Sequence, residues 1–532
     1  MSEQLYYNGY IITMEEPIYA EAIFVKDGII KKVGNFEDLL KFKTTSTELI
    51  DLEGKTLIPS FIDPHSHITA LGDTLHLVPL KDAKNFNDII EMLKKFKKDN
   101  NIPSGQWISG FGYDHNSLLE KAMPSKEILD EASIENPILI SHASGHMGVV
   151  NTLGLKNLNI TKDTPDPEGG HIGRVNNTNE PNGYLEENAF IHSSEKIPHP
   201  PIEYSSRFVA EAQNIYLSNG ITTVQDGMIN ETEFQQLNYL SENNLIKVDI
   251  IGYVDLKNSK HLVKDNNKYL NKYVNGFKIG GYKIFLDGSP QGKTAWLTKP
   301  YKTSDDGYRG YPTYKDEEVK EFITTALKEN MQLLTHCNGD AAADQLVNSF
   351  SEILSDESLN NDTRPVMIHA QTVRDDQIDK MKKIKMIPSY FVAHTYYWGD
   401  IHIENLGEER AFRISPLKTT IEKGVPFTLH QDSPVIMPNM LETIWCAVNR
   451  ITKSGVIIGD FERITPLEAL RGVTINAAYQ YFEENKKGSI KEGKNADFAI
   501  LDKNPLTVNP MDIKNIKVLR TIKNGEVLFS AM

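Results

Sequence analysis

Short apolar runs that alternate with helical patterns constrain the fold of this chain more than any other feature of its sequence. Eight such runs follow one another: TLIPSFID, GITTVQD, KVDIIGYVD, GYKIFLD, MQLLTHC, RPVMIHA, KMIPSYF and PFTLHQD. Strands that alternate with helices form a parallel sheet or barrel, because the helix returns the chain to the end of the sheet where the next strand starts. The pattern therefore predicts an α/β fold.

Both ends of the chain have a different pattern, that of short antiparallel strands. EAIFVKDGIIKKVG and IKVLRTIKNGEVLF each hold two apolar runs joined by a glycine-containing turn, which is a hairpin signature. We expect residues 1–55 and 481–532 to share one small β domain. Residues from about 70 to 218 mix helical and loop signals, and we interpret them as an insertion that covers the mouth of a barrel formed by the rest.

Composition excludes several classes of protein. The formal net charge of −15 argues against a nucleic-acid-binding surface, which needs clustered lysine and arginine. No apolar run approaches the roughly 20 residues that cross a bilayer. The chain has only two cysteines and begins without the pattern of a secretion signal. We expect a cytoplasmic protein whose partner is a small molecule, with a homodimer as one arrangement.

A histidine pair follows the first apolar run. TLIPSFIDPHSH places His65 and His67 two residues apart, and residues i and i+2 of a strand point the same way. Both imidazoles are then able to bind one metal ion. The alternative for a His-x-His pair is a surface or capping role.

Other ionisable residues end or interrupt later runs. His336 closes MQLLTH, His369 closes PVMIH and Asp432 closes PFTLHQD, as a metal site assembled across a barrel requires. A carboxylate buried at a strand end is costly unless it meets a cation or several donors. The alternative for each histidine is a hydrogen-bonded core position. Lys283 lies inside GYKIFLD, where the alternation of a strand points its side chain either inward or outward. Composition alone favours the outward, solvated position.

These residues stand in motifs that resemble a known family. In chain order, IDPHSH, YKIFLDGS, THCNGD, MIHAQ and LHQDSP resemble the signatures of the amidohydrolase superfamily. GFGYDHN, ASGHMGVVNT, GITTVQDG, HTYYWGDIH and GSIKEGKNADFAILD resemble the branch that contains N-substituted formamide deformylases. The resemblance covers nearly the whole chain. It implies a (β/α)8 TIM-like barrel over residues 56–480 and a small β-sandwich domain built from residues 1–55 and 481–532.

The resemblance also implies a set of metal ligands. They are His65 and His67 from the first strand, His336 and His369 from the fifth and sixth, and Asp432 from the eighth. Lys283 stands where the family often has a carbamylated lysine that bridges two metals. The expected cofactor is a divalent metal, zinc first, with one or two ions per chain. Departures at Cys337, Gln431 and the segment SPQGKTA bear on substrate preference.

The implied function is hydrolysis of a C–N bond, of an amide or formamide-like kind, in a small molecule. A metal-activated hydroxide attacks the carbonyl, and Asp432 passes the proton of the water to the departing nitrogen. A deaminase or a cyclic-amide hydrolase on the same site is an alternative. A regulatory or binding protein that keeps the metal without turnover is another. No Gly-x-Ser-x-Gly elbow occurs, which disfavours a serine nucleophile.

Candidates for substrate binding are His146, in the segment SGHMG, and Tyr396 and Trp398, in an aromatic cluster that also fits an ordinary core. A local hydrogen bond is the alternative for His146. A charged residue in a loop is usually just solvated. For that reason Asp114, His115 and Glu187 are weaker candidates. His142 stands with His146 in SHASGHMGVVNT, which resembles a family segment that reaches the active site, and a local hydrogen bond is its alternative too.

Overall fold

The computed structural model describes residues 3–115, 117–143, 146–167, 169–198, 200–304, 306–359 and 361–531. The chain divides into two compact units. One combines Met1–Leu71 with Val209–Met532, and the other is Gly72–Phe208. The second unit lies within the stretch from 70 to 218 that we interpret as an insertion. Its role as a cover for the barrel mouth stays a prediction.

The strands up to residue 62 are β1 (Glu3–Tyr7), β2 (Tyr10–Ile12), β3 (Tyr19–Ala20), β4 (Ala22–Lys26), β5 (Ile29–Gly34), β6 (Thr47–Asp51), β7 (Thr56–Pro59) and β8 (Phe61–Ile62). The second unit contains β9 (Val78–Pro79), β10 (Ile108–Tyr113), β11 (Ile138–His142), β12 (Met147–Val150), β13 (Gly170–Arg174) and β14 (Pro181–Glu187). The remaining strands are β15 (Ile221–Ile229), β16 (Asp249–Asp255), β17 (Phe277–Phe285), β18 (Gln332–Cys337), β19 (Val366–His369), β20 (Ile387–Tyr390), β21 (Thr428–Leu429), β22 (Phe498–Leu501), β23 (Val518–Lys523) and β24 (Glu526–Ser530).

The helices are α1 (Phe36–Leu40), α2 (Ile68–Leu75), α3 (Phe86–Asp99), α4 (Lys126–Asp130), α5 (Thr152–Asn157), α6 (Asn188–Ser194), α7 (Ile202–Ser218), α8 (Glu231–Glu242), α9 (His261–Asp265), α10 (Asp316–Lys328), α11 (Asp340–Ile353), α12 (Asp375–Lys383), α13 (His394–Tyr397), α14 (Gly399–Leu406), α15 (Glu408–Ala411), α16 (Leu417–Glu422), α17 (Met440–Asn449), α18 (Pro466–Gly472) and α19 (Ile475–Gln480). Within the described ranges, none of them is both long and apolar enough to cross a membrane.

A curled parallel sheet forms the centre of the first unit. Its eight strands follow chain order, from β8 through β15, β16, β17, β18, β19 and β20 to β21. Each expected apolar run contributes one of them, which confirms the α/β fold with a parallel sheet. Two backbone hydrogen bonds join the segments that follow the edge strands: Asp432 donates to His65 at 3.1 Å, and His67 donates to Ser433 at 2.8 Å. The carboxyl ends of the first and last strands therefore meet.

One buried apolar cluster joins the curled sheet to the end of the helical region. Strand residues such as Ile251, Leu334 and Ile368 pack with Ala477 and Tyr481, from α19 and the position after it. This cluster forms part of the apolar core of the first unit.

The two chain ends build two further sheets. One has the order β5-β4-β1-β6, and the other, β24-β23-β22-β7-β2-β3, mixes strands from both ends. The expected hairpins are present. Their turn residues, Asp27 with Gly28 and Asn524 with Gly525, all have positive φ, as a type I′ turn requires. Both sheets belong to the same compact unit as the curled sheet, so a separate β-sandwich domain stays a prediction.

The first apolar run differs from expectation, because TLIPSFID is divided between two sheets. Strand β7 pairs with β2 and β22 in the mixed end sheet, whereas β8 pairs with β15 in the curled sheet. Ser60 separates them, and its hydroxyl lies 2.6 Å from that of Thr222. One continuous segment thus ties the end sheet to the first strand of the curled sheet.

The second unit has its own sheet and core. The strand order is β13-β14-β12-β11-β10-β9, and β10 runs parallel to both β9 and β11. Its buried cluster includes Ile89 and Leu93 of α3 with Ile108, Ile138 and Ile140 of the strands. The carboxyl ends of β10 and β11 lie side by side.

Candidate metal centre

The histidine pair lies beyond the strand that leads to it. Strand β8 ends at Ile62, and His65 and His67 belong to the turn before α2. The strand periodicity that we used for this pair was therefore the wrong local geometry. The two rings nevertheless come together, with centroids 5.1 Å apart, because the turn is held by its backbone hydrogen bonds to the segment after β21.

A carboxylate oxygen completes this group. Oδ1 of Asp432 lies 3.3 Å from Nε2 of His65 and 3.4 Å from Nε2 of His67. The oxygen is buried and has no hydrogen-bond partner among the residues that the structure describes. All three ligand atoms lie within 4.8 Å of one another. The arrangement gathers three electron-pair donors around one point.

These distances fit a bound cation. Tetrahedral zinc with bonds of about 2.0–2.1 Å holds its ligand atoms about 3.3–3.5 Å apart. The two distances to Asp432 fall in that range. A buried carboxylate oxygen that lacks a hydrogen bond is costly, and a dication between the three atoms removes that cost. His65, His67 and Asp432 therefore suit a divalent metal.

The orientation of His65 is determined on the other side of its ring. Its Nδ1 lies 2.5 Å from Oε1 of Gln225, an acceptor, so Nδ1 carries the hydrogen and Nε2 presents its lone pair. The amide of Gln225 donates to the carbonyl oxygen of Pro64 at 2.8 Å and to the hydroxyl of Tyr481 at 3.1 Å. Gln225 was missed by our sequence reasoning, although it stands near the end of the run GITTVQD.

A glycine leaves room for both rings. A Cβ added at Gly227 would lie 2.8 Å from Cε1 of His65 and 3.2 Å from Cε1 of His67. The first distance is shorter than side chains tolerate. The absence of a side chain at Gly227 is therefore part of how the histidine pair reaches its position.

Lys283 points into the same site. It lies on β17, is fully buried, and its Nζ is 3.4 Å from Nε2 of His65. Burial lowers the pKa of Lys283 to about 7, even though the charge of Asp432 opposes the shift. The solvated alternative for this lysine is wrong.

His336 and His369 form the other half of the cluster. Their rings are 4.6 Å apart, and the ring of His369 is 5.7 Å from that of His65. Nδ1 of His369 lies 3.2 Å from Nε2 of His430, whose Nδ1 is 2.8 Å from the hydroxyl of Ser389. His430 was not predicted, although it follows the run PFTL directly. Because the contact with His430 uses Nδ1 of His369, Nε2 is the ring nitrogen of His369 that is able to bind a metal ion.

The protonation states are those that ligands need. Burial, together with the nearby ammonium of Lys283, lowers the pKa of His65 to about 3. Burial also holds the pKa of His369 and His430 well below the usual range. Burial raises the pKa of Asp432, but the surrounding imidazoles outweigh that effect and hold it low. Neutral imidazoles beside an ionised carboxylate are the forms that bind a cation.

His336 has a carboxylate on its far side. Its buried Nδ1 lies 3.6 Å from Oδ1 of Asp287, too far for a hydrogen bond. Asp287 is itself held by backbone N–H groups, at 2.9 Å from Asn338, 2.7 Å from Gly339 and 3.0 Å from Trp296. The carboxylate thus holds a fixed position behind the His336 ring.

The aromatic candidates separate into two environments. The ring of Phe391 is 5.3 Å from that of His430 and 5.9 Å from that of Trp398, so Trp398 lies one ring beyond the histidine cluster. Tyr396 instead packs edge-on against Trp445, at 5.2 Å. Their roles in substrate binding stay predictions.

The second unit holds the remaining candidates. His146 is exposed, and its Nδ1 lies 3.0 Å from Oε2 of Glu187; a substrate contact for it stays a prediction. Asp114, His115 and His142 lie together and form a second group with the spacing of metal ligands. Asn116, Ser144 and Gly145, which complete the motifs around them, lie outside the described residues.

Comparison with known proteins agrees with this site. The model of the amidohydrolase family matches residues 48–529. N-substituted formamide deformylase of Arthrobacter pascens is 26% identical over 532 residues, which span 95% of this chain and 94% of that protein. LONG AFTER FAR-RED 3 of Arabidopsis thaliana is 29% identical over 552 residues, spanning 99% of this chain and 92% of that protein.

A solved structure is similar over almost the same length. The crystal structure of an uncharacterized metal-dependent hydrolase from Pyrococcus furiosus has a TM-score of 0.77 at 26% identity, covering 95% of this chain and 100% of that one. The resemblance drawn from the motifs is confirmed. The chain belongs to the amidohydrolase family.

Proposed function

We propose that this chain is a metal-dependent hydrolase that cleaves the C–N bond of an amide or formamide-like small molecule. The observation that carries the proposal is the position of Asp432, whose buried Oδ1 lies between Nε2 of His65 and Nε2 of His67. That oxygen is able to share a cation with both rings and still exchange a proton with a molecule bound there. Family membership and the similarity to N-substituted formamide deformylase support the reaction class.

The expected cofactor is a divalent metal, with zinc favoured by the mixture of imidazole and carboxylate ligands. When bound, it lowers the pKa of a water molecule and polarises the carbonyl group. His65, His67 and Asp432 would hold one ion. His336 and His369 would hold a second, with Lys283 between the two groups.

Carbamylation of Lys283 is part of the proposal. A neutral amine adds to carbon dioxide, forming an N–C bond and releasing one proton, and leaves a carboxylate on the side chain. Full burial favours the neutral amine, and its pKa near 7 means that much of it is uncharged at neutral pH. Cations held by the neighbouring ligands would stabilise the negative charge formed.

Asp432 carries the proton in this scheme. Its carboxylate accepts a proton from the attacking water while the oxygen of that water bonds to the carbonyl carbon. When the C–N bond breaks, Asp432 donates the same proton to the departing nitrogen. The carboxylate is regenerated, and the products are a carboxylic acid and an amine.

Substrate selection is assigned to the aromatic side of the site. Trp398 and Phe391 continue from the histidine cluster and would contact an apolar substituent on the substrate. We also retain Tyr396 and His146 as predicted substrate contacts. Tyr396 packs on Trp445, and His146 pairs with Glu187.

The finer description of the fold belongs to the same proposal. We infer a closed (β/α)8 barrel, supported by the backbone hydrogen bonds between the segments after β8 and β21. We also infer that the two end sheets act as one small β domain, supported by the apolar cluster shared between them, which includes Tyr6, Ile23 and Phe498.

The test is a substrate panel on zinc-loaded protein with separate detection of formate, amine and ammonia. Release of formate and amine from N-substituted formamides supports the proposal. Release of ammonia, or opening of a cyclic amide, would favour the alternative reactions. Stoichiometric zinc without turnover on any substrate would favour a regulatory or binding protein. The Asp432→Asn variant, loaded in the same way, controls for a contaminating hydrolase.

A further inference from the structure

The second unit contains a donor cluster that the proposed reaction does not use. Nδ1 of His115 lies 3.3 Å from Nε2 of His142, and the same Nε2 lies 3.4 Å from Oδ1 of Asp114. The third side of this triangle, from Nδ1 of His115 to Oδ1 of Asp114, is 3.9 Å. All three residues belong to Gly72–Phe208. The cluster therefore lies within a single compact unit.

The backbone of the sheet brings these residues together. His142 is the last residue of β11, and its register partner is Tyr113, the last residue of β10. Asp114 and His115 follow immediately after β10. The backbone N–H of Ala143 donates to the carbonyl oxygen of Tyr113 at 2.8 Å, so the parallel pairing continues one residue past the end of β11. The cluster is built on paired strands and not on a single free loop.

The ring of His142 is held by a buried neighbour. Tyr113 is fully buried in the core of the second unit, and its ring packs edge-on against that of His142 at 5.5 Å. The side chain of His142 is 11% exposed, and those of His115 and Asp114 are 29% and 41% exposed. One ligand atom is thus anchored in the core, and the other two face an accessible side.

From this geometry we propose that Asp114, His115 and His142, none of which is among the ligands of the proposed metal centre, bind a divalent transition-metal ion. Two imidazoles and a carboxylate are a ligand set of catalytic zinc and of other first-row metals. Two of the three distances match the spacing of about 3.3–3.5 Å expected around tetrahedral zinc. Three protein ligands leave one position for water or another small ligand.

The distances within the cluster are longer than those of an ordinary hydrogen bond. Nε2 of His142 lies 3.3 Å from Nδ1 of His115 and 3.4 Å from Oδ1 of Asp114, against the usual 2.9 Å of an N–H···O bond. A dication would bond all three atoms at once and neutralise the carboxylate. The pair His171 and Asp166 in the same unit gives the contrast, since it forms one ordinary contact of 2.8 Å.

The direct test is anomalous diffraction from crystals of the full chain grown with zinc, measured on both sides of the zinc absorption edge. We expect a peak within bonding distance of Asp114, His115 and His142. No peak there, with a peak between His65, His67 and Asp432, would overturn the inference and leave the proposed function intact. A peak at the new site alone would support the inference and count against the proposed function.

Binding in solution provides the second test, by zinc titration in competition with a chromophoric chelator. We expect His142→Ala to bind one zinc ion fewer than the wild type, and the matched control His171→Ala to bind the same number. His115→Gln is a second test at a more exposed residue, in case His142→Ala fails to fold. We expect it to lose the same ion. Unchanged stoichiometry in both His142→Ala and His115→Gln, or a wild-type site that fills only at millimolar zinc, would refute the site. In an Asp432→Asn background the difference of one ion should persist.

Discussion

Asp432 and His65 contact each other through both backbone and side chain. The N–H of Asp432 donates to the carbonyl oxygen of His65 at 3.1 Å, and Oδ1 of the same aspartate lies 3.3 Å from Nε2 of the same histidine. Asp432 has a φ of +57°, a left-handed conformation that aspartate tolerates better than most residues. The backbone link between the first and last strands therefore determines where the proposed proton carrier stands.

The first prediction concerns that carrier. Asp432→Asn should remain folded and keep part of its metal, because an amide oxygen is still a weak ligand. Turnover should fall by about 10²–10⁴, since the amide cannot accept and return the proton. The measurements are kcat on the substrate found by the panel and zinc content by elemental analysis. Asp82→Asn, an exposed position in the second unit, is the matched control. A kcat near that of the wild type would remove Asp432 from the mechanism.

A second prediction tests the space beside the histidine pair. In Gly227→Ala the new Cβ would lie 2.8 Å from Cε1 of His65, so the ring must move. Mutation of the residues that orient metal ligands typically costs about 10–100-fold in metal affinity, and we expect a loss of that size in zinc binding measured by chelator competition. Gly34→Ala is the control, because its Cβ would meet only Cδ1 of Leu39, at 3.5 Å. Equal affinities in the two variants would contradict the packing argument.

Substrate binding supplies the third prediction. Trp398→Ala should lower kcat/KM for substrates with an apolar substituent by about 10–100-fold, corresponding to about 1.5–3 kcal/mol of lost burial. The effect should fall mainly on KM, because Trp398 is one ring away from the histidine cluster. Tyr396→Ala is the informative comparison, since Tyr396 packs on Trp445. A larger effect at Tyr396 than at Trp398 would reverse our assignment of the substrate side.

The fourth prediction concerns acid stability, away from the metal site. Burial raises the pKa of Asp249, but the ammonium groups of Lys487 and Lys523 outweigh it and lower the pKa to about 2. Because the folded pKa is lower than the unfolded value of about 3.8, this carboxylate stabilises the fold above pH 4. That contribution, about 2 kcal/mol, is lost as the pH falls from about 4 to 2.

The measurement is the urea midpoint of unfolding between pH 6 and 2.5. Asp249→Asn should be less stable near neutral pH, because Lys487 loses one of its two buried carboxylate partners and keeps only Glu483. Its midpoint should also fall less steeply with acid than that of the wild type, because the titrating group is gone. Parallel curves for the two proteins would show that Asp249 does not contribute to the pH dependence, and Asp82→Asn should follow the wild-type curve.

Much of the site was predictable from residue order. Strand ends of a parallel sheet face one way, so histidines and an aspartate that end separate apolar runs were expected to meet. His336, His369 and Asp432 were found by that rule. His430 obeys the same rule and was overlooked, because it stands beside a more obvious aspartate. Gln225 lies within β15 and not at its end, and a glutamine is not an expected partner of a metal ligand. Gly227 has no side chain that could point to a function in the sequence. Only the structure shows that it leaves space for the rings of His65 and His67.

By itself the sequence determined the order of the eight strands of the curled sheet, the hairpin turns at both ends and the residue types near the strand ends, because these depend on near neighbours along the chain. Only the tertiary structure decided which atoms converge. His65 and His67 meet Asp432 through a turn held by backbone bonds to a segment more than 360 residues away. Asp114 and His115 meet His142 because β10 and β11 pair in a particular register. Pairing and register depend on the packing of the whole core, and no local pattern contains them.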